Sequence, residues 1–134
     1  GWYDAAGKAT PDPHPEWKTL LYKPIGAHAP AGNYLVSDTD YVEVLTEIDI
    51  QTPIPVEVQR LRSGRSFLFL GCRFNDQLPR AFARQIMKRS SARHWAVLPD
   101  EPTRMEARFL AEQGIERIAM PLETFVPALT GYMR

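Results

Sequence analysis

The sequence predicts an α/β domain built on a partial, doubly wound parallel sheet of about three main strands with flanking helices. In the second half of the chain, short apolar segments alternate with segments whose apolar residues recur at helical spacing. This alternation is typical of parallel strands joined by crossover helices. Residues 66–70, Ser-Phe-Leu-Phe-Leu, are almost wholly apolar without alternation, as expected for a strand buried on both faces.

Composition and charge exclude several classes of protein. A chain of 134 residues with 44% apolar content has room for one compact core. Sixteen basic and sixteen acidic residues leave no net charge, so bulk electrostatics favour neither a nucleic-acid nor a membrane partner. We expect a cytoplasmic protein, because no apolar run reaches the roughly 20 residues of a membrane span and no signal peptide is evident. The single cysteine, Cys72, excludes an internal disulfide and a cysteine-rich zinc site.

The chain divides into two predicted parts. Residues 1–19 form a proline-rich arm or linker, because Pro11, Pro13 and Pro15 at alternate positions disfavour both helix and sheet. Residues 20–134 form a single α/β domain. Three strands leave apolar sheet edges unpaired, so we expect a missing segment or another chain to cover them.

The elements are predicted in the following order. Short strands are expected at residues 20–22 and 33–36, a helix at 38–48 after Ser37, and a second helix from Pro53 to Ser63 after a Thr52 cap. After the strand at 66–70 come a helix at 77–88, a strand at 94–98, a helix at 103–113, a strand at 115–120 and a helix at 121–129, which Pro127 should bend or shorten.

The turn after the strand at 66–70 is the predicted ligand site. Gly71 permits a sharp turn, Asn75 or Asp76 caps the next helix, and Gly71, Cys72, Arg73 and Asn75 would line a crevice for phosphate or ribose oxygens. The alternative is an ordinary strand-to-helix turn. Asp100, with Glu101, follows the next strand and could accept a ribose hydroxyl or cap the following helix.

Residues 68–76, Leu-Phe-Leu-Gly-Cys-Arg-Phe-Asn-Asp, resemble the Leu-Phe-Ile-Gly-Tyr-Ser-Phe-Ser-Asp type of segment in sirtuin-like NAD-binding domains, particularly a divergent bacterial branch. Residues 40–44 are similar to the family's acidic-aromatic helix start, residues 58–62 to its helix before this strand, and residues 93–97 to its next strand. Gly114 with the residue after it resembles the approach to the last strand. The resemblance corresponds to the carboxy-terminal half of the family domain.

The resemblance implies a Rossmann-type sheet that binds NAD, whose nicotinamide–ribose bond is cleaved for protein deacylation or for NAD hydrolysis. The glycine-rich first phosphate turn of the family has no match, and Ile25 stands where its general-base histidine is expected. The resemblance therefore implies one part of a nucleotide-binding domain with no catalytic residue of its own. Any enzyme activity, as an NAD glycohydrolase or a deacylase, would belong to a longer protein.

The cysteine, the histidines and a group of basic residues are further candidates, each with a functional and a structural interpretation. Cys72 before a helix could be a reactive thiolate, but a compact semi-buried residue is the commoner case. His28 could replace the missing base or be an exposed loop residue, and His14 and His94 lack the spacing of metal ligands, so we expect no metal. The basic residues of the helix at 77–88 and its surroundings could contact phosphate or an acidic partner, or could face solvent: Arg80, Arg84, Lys88, Arg89 and Arg93.

Two main functions remain open from the sequence, and redox chemistry at Cys72 is a third option. The first is a sirtuin-like NAD- or nucleotide-binding domain whose amino-terminal half-domain is supplied by another part of the protein or by another chain. The second is a noncatalytic structural or interaction module that forms homo-oligomers.

Overall fold

The computed structural model describes residues 1–46 and 54–133 and divides into two compact units, Gly1–Leu61 and Arg62–Arg134. The predicted boundary between an arm and a domain at residues 19 and 20 stays a prediction. Thr52, Pro53 and the predicted end of the first helix at residues 47–48 lie outside the described residues.

The first unit opens with a hairpin that the sequence did not predict. Strand β1 (Trp2–Tyr3) pairs antiparallel with β2 (Ala9–Thr10). The turn between them is closed by Asp4, whose carboxylate accepts hydrogen bonds from the amides of Ala6 and Lys8, both at 2.9 Å. Local side-chain hydrogen bonding thus builds a turn in a segment where proline spacing alone indicated an arm.

Two helices follow in the first unit. Helix α1 (Asp38–Thr46) begins after Ser37, whose hydroxyl accepts from the amide of Asp40 at 3.2 Å, so the predicted cap is confirmed. Helix α2 (Val56–Arg62) lies in the predicted second helix. The strands predicted at residues 20–22 and 33–36 are wrong, because both segments are irregular in the structure.

The second unit is a three-stranded parallel sheet in the order β3-β4-β5, which confirms the predicted fold class. The elements along the chain are β3 (Leu68–Leu70), α3 (Gln77–Ile86), β4 (His94–Val97), α4 (Arg104–Glu112), β5 (Ile115–Ile118) and α5 (Leu122–Met133). In register, Leu68 lies beside Trp95, and His94 lies beside Ile115. No helix in the described residues is long and apolar enough to cross a membrane.

One face of the sheet carries the core. Phe67 and Phe69 pack against a cluster from β4, β5, α3 and α4 that lies on this face; its buried members include Phe74, Ala83, Ala96, Leu98, Phe109, Leu110 and Ile115. Side chains alternate between faces along a strand. Leu68 and Leu70 therefore point to the opposite face, where they are 39% and 42% exposed.

The prediction that residues 66–70 are buried on both faces is wrong. Strand β3 is an edge strand, because β4 is its only partner among the described residues. Strand β4, which lies between two neighbours, is the buried one: His94, Ala96 and Val97 are each no more than 2% exposed. The position of a strand in the sheet order thus decides its burial.

Candidate functional site

The carboxyl ends of the three parallel strands define one edge of the sheet. We call the segments 71–76, after β3, and 98–103, after β4, the carboxyl edge. Gly71 turns the chain with φ of 67° at the end of β3, and a Cβ atom there would lie 3.5 Å from the side chain of Leu122. A residue with a side chain would be strained at that φ value, so the turn specifically favours glycine.

An ion pair joins the first segment of the carboxyl edge to helix α4. The Nε and Nη2 atoms of Arg73 donate to the two carboxylate oxygens of Glu106, at 3.1 and 2.8 Å. The same carboxylate accepts the backbone N–H of Phe74 at 2.8 Å, and Glu106 is fully buried. Such a bidentate, charge-assisted arrangement fixes the orientation of the guanidinium as well as its distance.

Glu106 owes its position to the start of α4. Thr103 is the N-cap of this helix, and its hydroxyl accepts the amide of Glu106 at 3.2 Å. The hydrogen bond from Arg73 holds the pKa of Glu106 below its usual range against the opposing effect of burial, and the backbone amides of Phe74 and Thr103 also lower it. Glu106 is therefore a carboxylate at neutral pH.

Phe74 anchors the first segment of the carboxyl edge. Its carbonyl accepts Arg80 Nη1 at 2.8 Å, so both of its backbone polar groups are satisfied by side chains. Its ring is 2% exposed and packs on Phe69 and Phe109, at centroid distances of 5.3 and 5.0 Å. The turn is therefore fixed in the middle, at Phe74.

The structure brings two of the predicted ligand residues into contact and leaves most of the predicted positions exposed. Arg73 and Asp100 are brought together, with 3.8 Å between Nη1 and Oδ2, and the Asp100 side chain is 81% exposed. Gly71 and Asn75 are also exposed, whereas Cys72 is half-buried. These five predicted positions share the carboxyl edge, but whether they bind a cofactor is a separate question that stays a prediction.

The capping residues differ from the sequence prediction. Asp76 is the N-cap of α3, as predicted, but its side chain makes no cap hydrogen bond there. Capping of α4 by Asp100 or Glu101 is wrong, since Thr103 takes that role. The amino end of α3 consequently keeps backbone N–H groups that its N-cap side chain leaves unbonded, and such groups attract oxygen ligands.

Arg117, on β5, holds the second segment of the carboxyl edge. Its guanidinium donates to the carbonyl oxygens of Leu98 and Pro99, at 2.9 and 3.0 Å, and to Glu101 at 2.9 Å. Both segments are thus fixed by an arginine and bonds to the backbone.

The thiol of Cys72 does not have the environment of a nucleophile. Burial raises the pKa of Cys72, and the nearby Glu106 carboxylate acts in the same direction, although a backbone hydrogen bond opposes both. A raised pKa reduces the thiolate fraction on which reactivity depends. The semi-buried reading from the sequence therefore agrees with this geometry.

His94 has a structural role at the opposite, amino edge of the sheet. Its Nδ1 accepts the backbone N–H of Phe67 at 2.9 Å, which assigns the ring proton to Nε2, 3.4 Å from the Ser90 hydroxyl. In this tautomer Nε2 cannot accept a proton from the serine. A cleft of about 500 Å³ opens here, lined by the ends of α3 and α4, but this pair does not form a nucleophile and base.

His28, Arg84 and Arg93 each make a local contact. His28 lies beside Tyr34 in the first unit, with 5.9 Å between ring centroids. The guanidinium of Arg84 lies 5.0 Å from the ring centroid of Phe109, and Arg93 pairs with Glu116 at 2.8 Å. Among the described residues, no group of three or more metal-ligating side chains occurs.

Glu106 was not predicted as a site residue. It lies on α4, and its carboxylate accepts hydrogen bonds from Arg73 and from the amide of Phe74 at the carboxyl edge. A signal was present: Thr103 and Glu106 have the Ser/Thr-x-x-Glu spacing of a capping box at the start of a helix. The pairing with Arg73 could not be inferred from that spacing, since 33 residues separate the partners.

One family model matches this chain. The SIR2-like domain family matches residues 3–118, which is most of the chain, so the protein belongs to this family. The predicted sirtuin-like relationship is confirmed. No curated protein and no solved structure matches the chain.

Proposed function

We propose that the carboxyl edge is one wall of a pocket for NAD or a related nucleotide. The observation that carries the proposal is the convergence, in a SIR2-like chain, of a glycine turn, a helix amino end without a side-chain cap, and an arginine held by a buried carboxylate. Open parallel sheets bind ligands outside the carboxyl ends of their strands. In this proposal Gly71, Cys72, Arg73, Asn75 and Asp100 line the wall.

These residues fit parts of a nucleotide in different ways. The backbone N–H groups of Gln77 and Leu78 at the start of α3, which the Asp76 side chain does not cap, suit oxygen atoms of phosphate or ribose, and the exposed Asp100 carboxylate suits a hydroxyl donor. NAD would supply the reactive nicotinamide–ribose bond when bound. No catalytic role is proposed for this chain, since the resemblance implies that Ile25 replaces the family's base.

The edge of β3 supports the proposal that the wall needs a second half-domain. Natural sheet edges are protected by charged residues, proline or bulges. Strand β5 follows this rule with Glu116 and Arg117, whereas β3 presents only Leu68, Phe69 and Leu70. An apolar edge without such protection favours cover by an amino-terminal half-domain or by another chain.

The same edge favours a second candidate function, a noncatalytic module that assembles with copies of itself. In this alternative the apolar edge serves oligomer formation and the nucleotide wall has lost its ligand. Sedimentation velocity across a concentration series, with and without NAD, separates the two. Self-association without any response to NAD would favour the module.

The direct test is thermal denaturation of the intact protein with saturating NAD, followed by calorimetric titration. NAD at about 100 times its Kd should stabilise the fold by about 2.7 kcal/mol. Asn75→Ala should weaken NAD binding without lowering the Tm of the free protein, because Asn75 is exposed. The matched control is Gln113→Ala at the amino edge, which should leave binding unchanged. Absence of binding by both methods would refute the nucleotide proposal.

A further inference from the structure

Arg73 is the one basic residue of the carboxyl edge, and carboxylates oppose its charge. Arg73 is the cation that a phosphate-binding wall would use, but the buried carboxylate of Glu106 binds two of its nitrogen atoms. The third, Nη1, faces the carboxylate of Asp100 at 3.8 Å. One guanidinium and two carboxylates leave this group of three residues with a net negative charge.

We propose that Glu106 is a specificity-determining residue that neutralises Arg73 and makes the wall select uncharged, hydroxyl-bearing parts of a nucleotide over its phosphate groups. The inference rests on the proposed function and deepens it. A neutralised arginine offers an anion little net attraction, and Asp100 repels it. A neutral hydroxyl group meets no such repulsion and can donate to Asp100.

The effect is a property of Glu106 rather than of the surface in general. Its carboxylate is fully buried, whereas the Arg73 side chain is 40% exposed, so water screens this pair less than it would screen a pair exposed on both sides. The carboxylate also accepts the amide of Phe74 at 2.8 Å, and the backbone N–H of Glu106 donates to the Thr103 hydroxyl at 3.2 Å, which fixes the residue at the start of α4. Arg73 therefore cannot exchange Glu106 for an external phosphate without leaving a buried carboxylate unpaired, which is costly.

The experiment measures the affinity for inorganic pyrophosphate by calorimetry at low ionic strength. Glu106→Gln keeps the shape and an acceptor for Phe74 but removes the charge beside the guanidinium of Arg73. We expect its pyrophosphate affinity to rise about five- to tenfold over wild type, since the lost repulsion acts over several ångströms near water. The gain should vanish at high salt.

Three variants control this measurement. Glu116→Gln removes the same charge from an exposed site that pairs with Arg93, and should leave the affinity unchanged. Glu106→Asp keeps the charge and should keep wild-type affinity even if it lowers stability. Asp100→Asn should give a smaller gain than Glu106→Gln, because Asp100 is exposed and lies farther from the guanidinium.

Equal pyrophosphate affinity in Glu106→Gln and Glu116→Gln would overturn the inference. If circular dichroism shows that Glu106→Gln does not fold, the test uses Asp100→Asn instead. Unchanged pyrophosphate affinity in Asp100→Asn would then overturn the inference. The outcome is separable from the proposed function. A gain in pyrophosphate affinity without NAD binding by wild type keeps the neutralisation but rejects the nucleotide pocket; NAD binding without any gain rejects the neutralisation alone.

Discussion

Replacement of Glu106 by alanine tests the role of this residue in the fold. The carboxylate accepts the amide of Phe74, a residue that is 2% exposed, and two nitrogen atoms of Arg73. Glu106→Ala removes all three hydrogen bonds at once. It leaves a buried N–H without an acceptor and releases a guanidinium that can return to water.

The magnitude follows mainly from the buried amide. An unsatisfied buried N–H costs about 1–3 kcal/mol. The release of Arg73 adds little, because partly exposed ion pairs contribute about 0–1 kcal/mol. Relief from burying a charge offsets part of the loss. We expect Glu106→Ala to lower the free energy of unfolding by about 2 kcal/mol, or the Tm by roughly 8 °C for a chain of this size.

Urea denaturation followed by circular dichroism measures this loss. Glu106→Gln retains an acceptor for the Phe74 amide and should lose only about 1 kcal/mol. Glu116→Ala, at an exposed ion pair, is the control and should stay within about 0.5 kcal/mol of wild type. The reasoning fails if Glu106→Ala is no worse than Glu116→Ala, or if glutamine at position 106 is as damaging as alanine.

Three further predictions concern acid stability, a tight turn and the thiol. The pKa of Glu106 is lowered by its guanidinium partner, so its contribution to stability is present above the unfolded value of about 4.3 and is lost as the pH falls through the lower folded value. The difference in unfolding free energy between wild type and Glu106→Gln should therefore shrink between about pH 7 and pH 3 in urea titrations; a constant difference would contradict this. Gly114→Ala places a Cβ 2.3 Å from the carbonyl oxygen of Ala92 and should lower the Tm far more than the control Gly64→Ala. Gly64 has the same φ of 67° but open space around it, so its substitution should cost only about 1–2 kcal/mol of backbone strain. Equal losses would refute the steric argument. Burial raises the pKa of Cys72, so its alkylation by iodoacetamide should be slower than that of an unstructured peptide, and a faster reaction would indicate an activated thiolate.

The sequence predicted the elements of the second unit well and their environment less well. Apolar runs and helical spacing located β3, β4, β5 and the helices between them to within a few residues. The prediction that β3 is buried on both faces was wrong. Strands β3 and β4 are similarly apolar, but β3 has one neighbouring strand and β4 has two. Sheet order is a property of the whole fold and cannot be read from a five-residue window.

Helix α5 gives a second example. Proline at position 127 was expected to bend or shorten the helix near residue 129, but the helix continues to Met133. A proline removes only one backbone hydrogen bond of the helix, here the one to the carbonyl oxygen of Glu123, and the helix continues through the bonds on either side. A single proline therefore predicts a helix end poorly.

At the candidate site, too, local patterns were predictable and distant contacts were not. Gly71 and Arg73 were predicted from the turn after a strand, because glycine and helix starts leave local patterns. Glu106 was missed since its importance lies in contacts with residues over thirty positions away. Its buried carboxylate opposes the charge of Arg73, which the residues around position 73 do not reveal.

The most direct test of the central claim is the location of NAD on the intact protein by amide hydrogen exchange. We expect slower amide exchange on NAD addition in residues 71–78 and 98–103, at the carboxyl edge. Exchange should not change in residues 88–94 and 111–114, which border the cleft at the amino edge. Protection at the amino edge alone, or no protection at either edge under saturating NAD, would contradict the claim that the carboxyl edge is a nucleotide-binding wall.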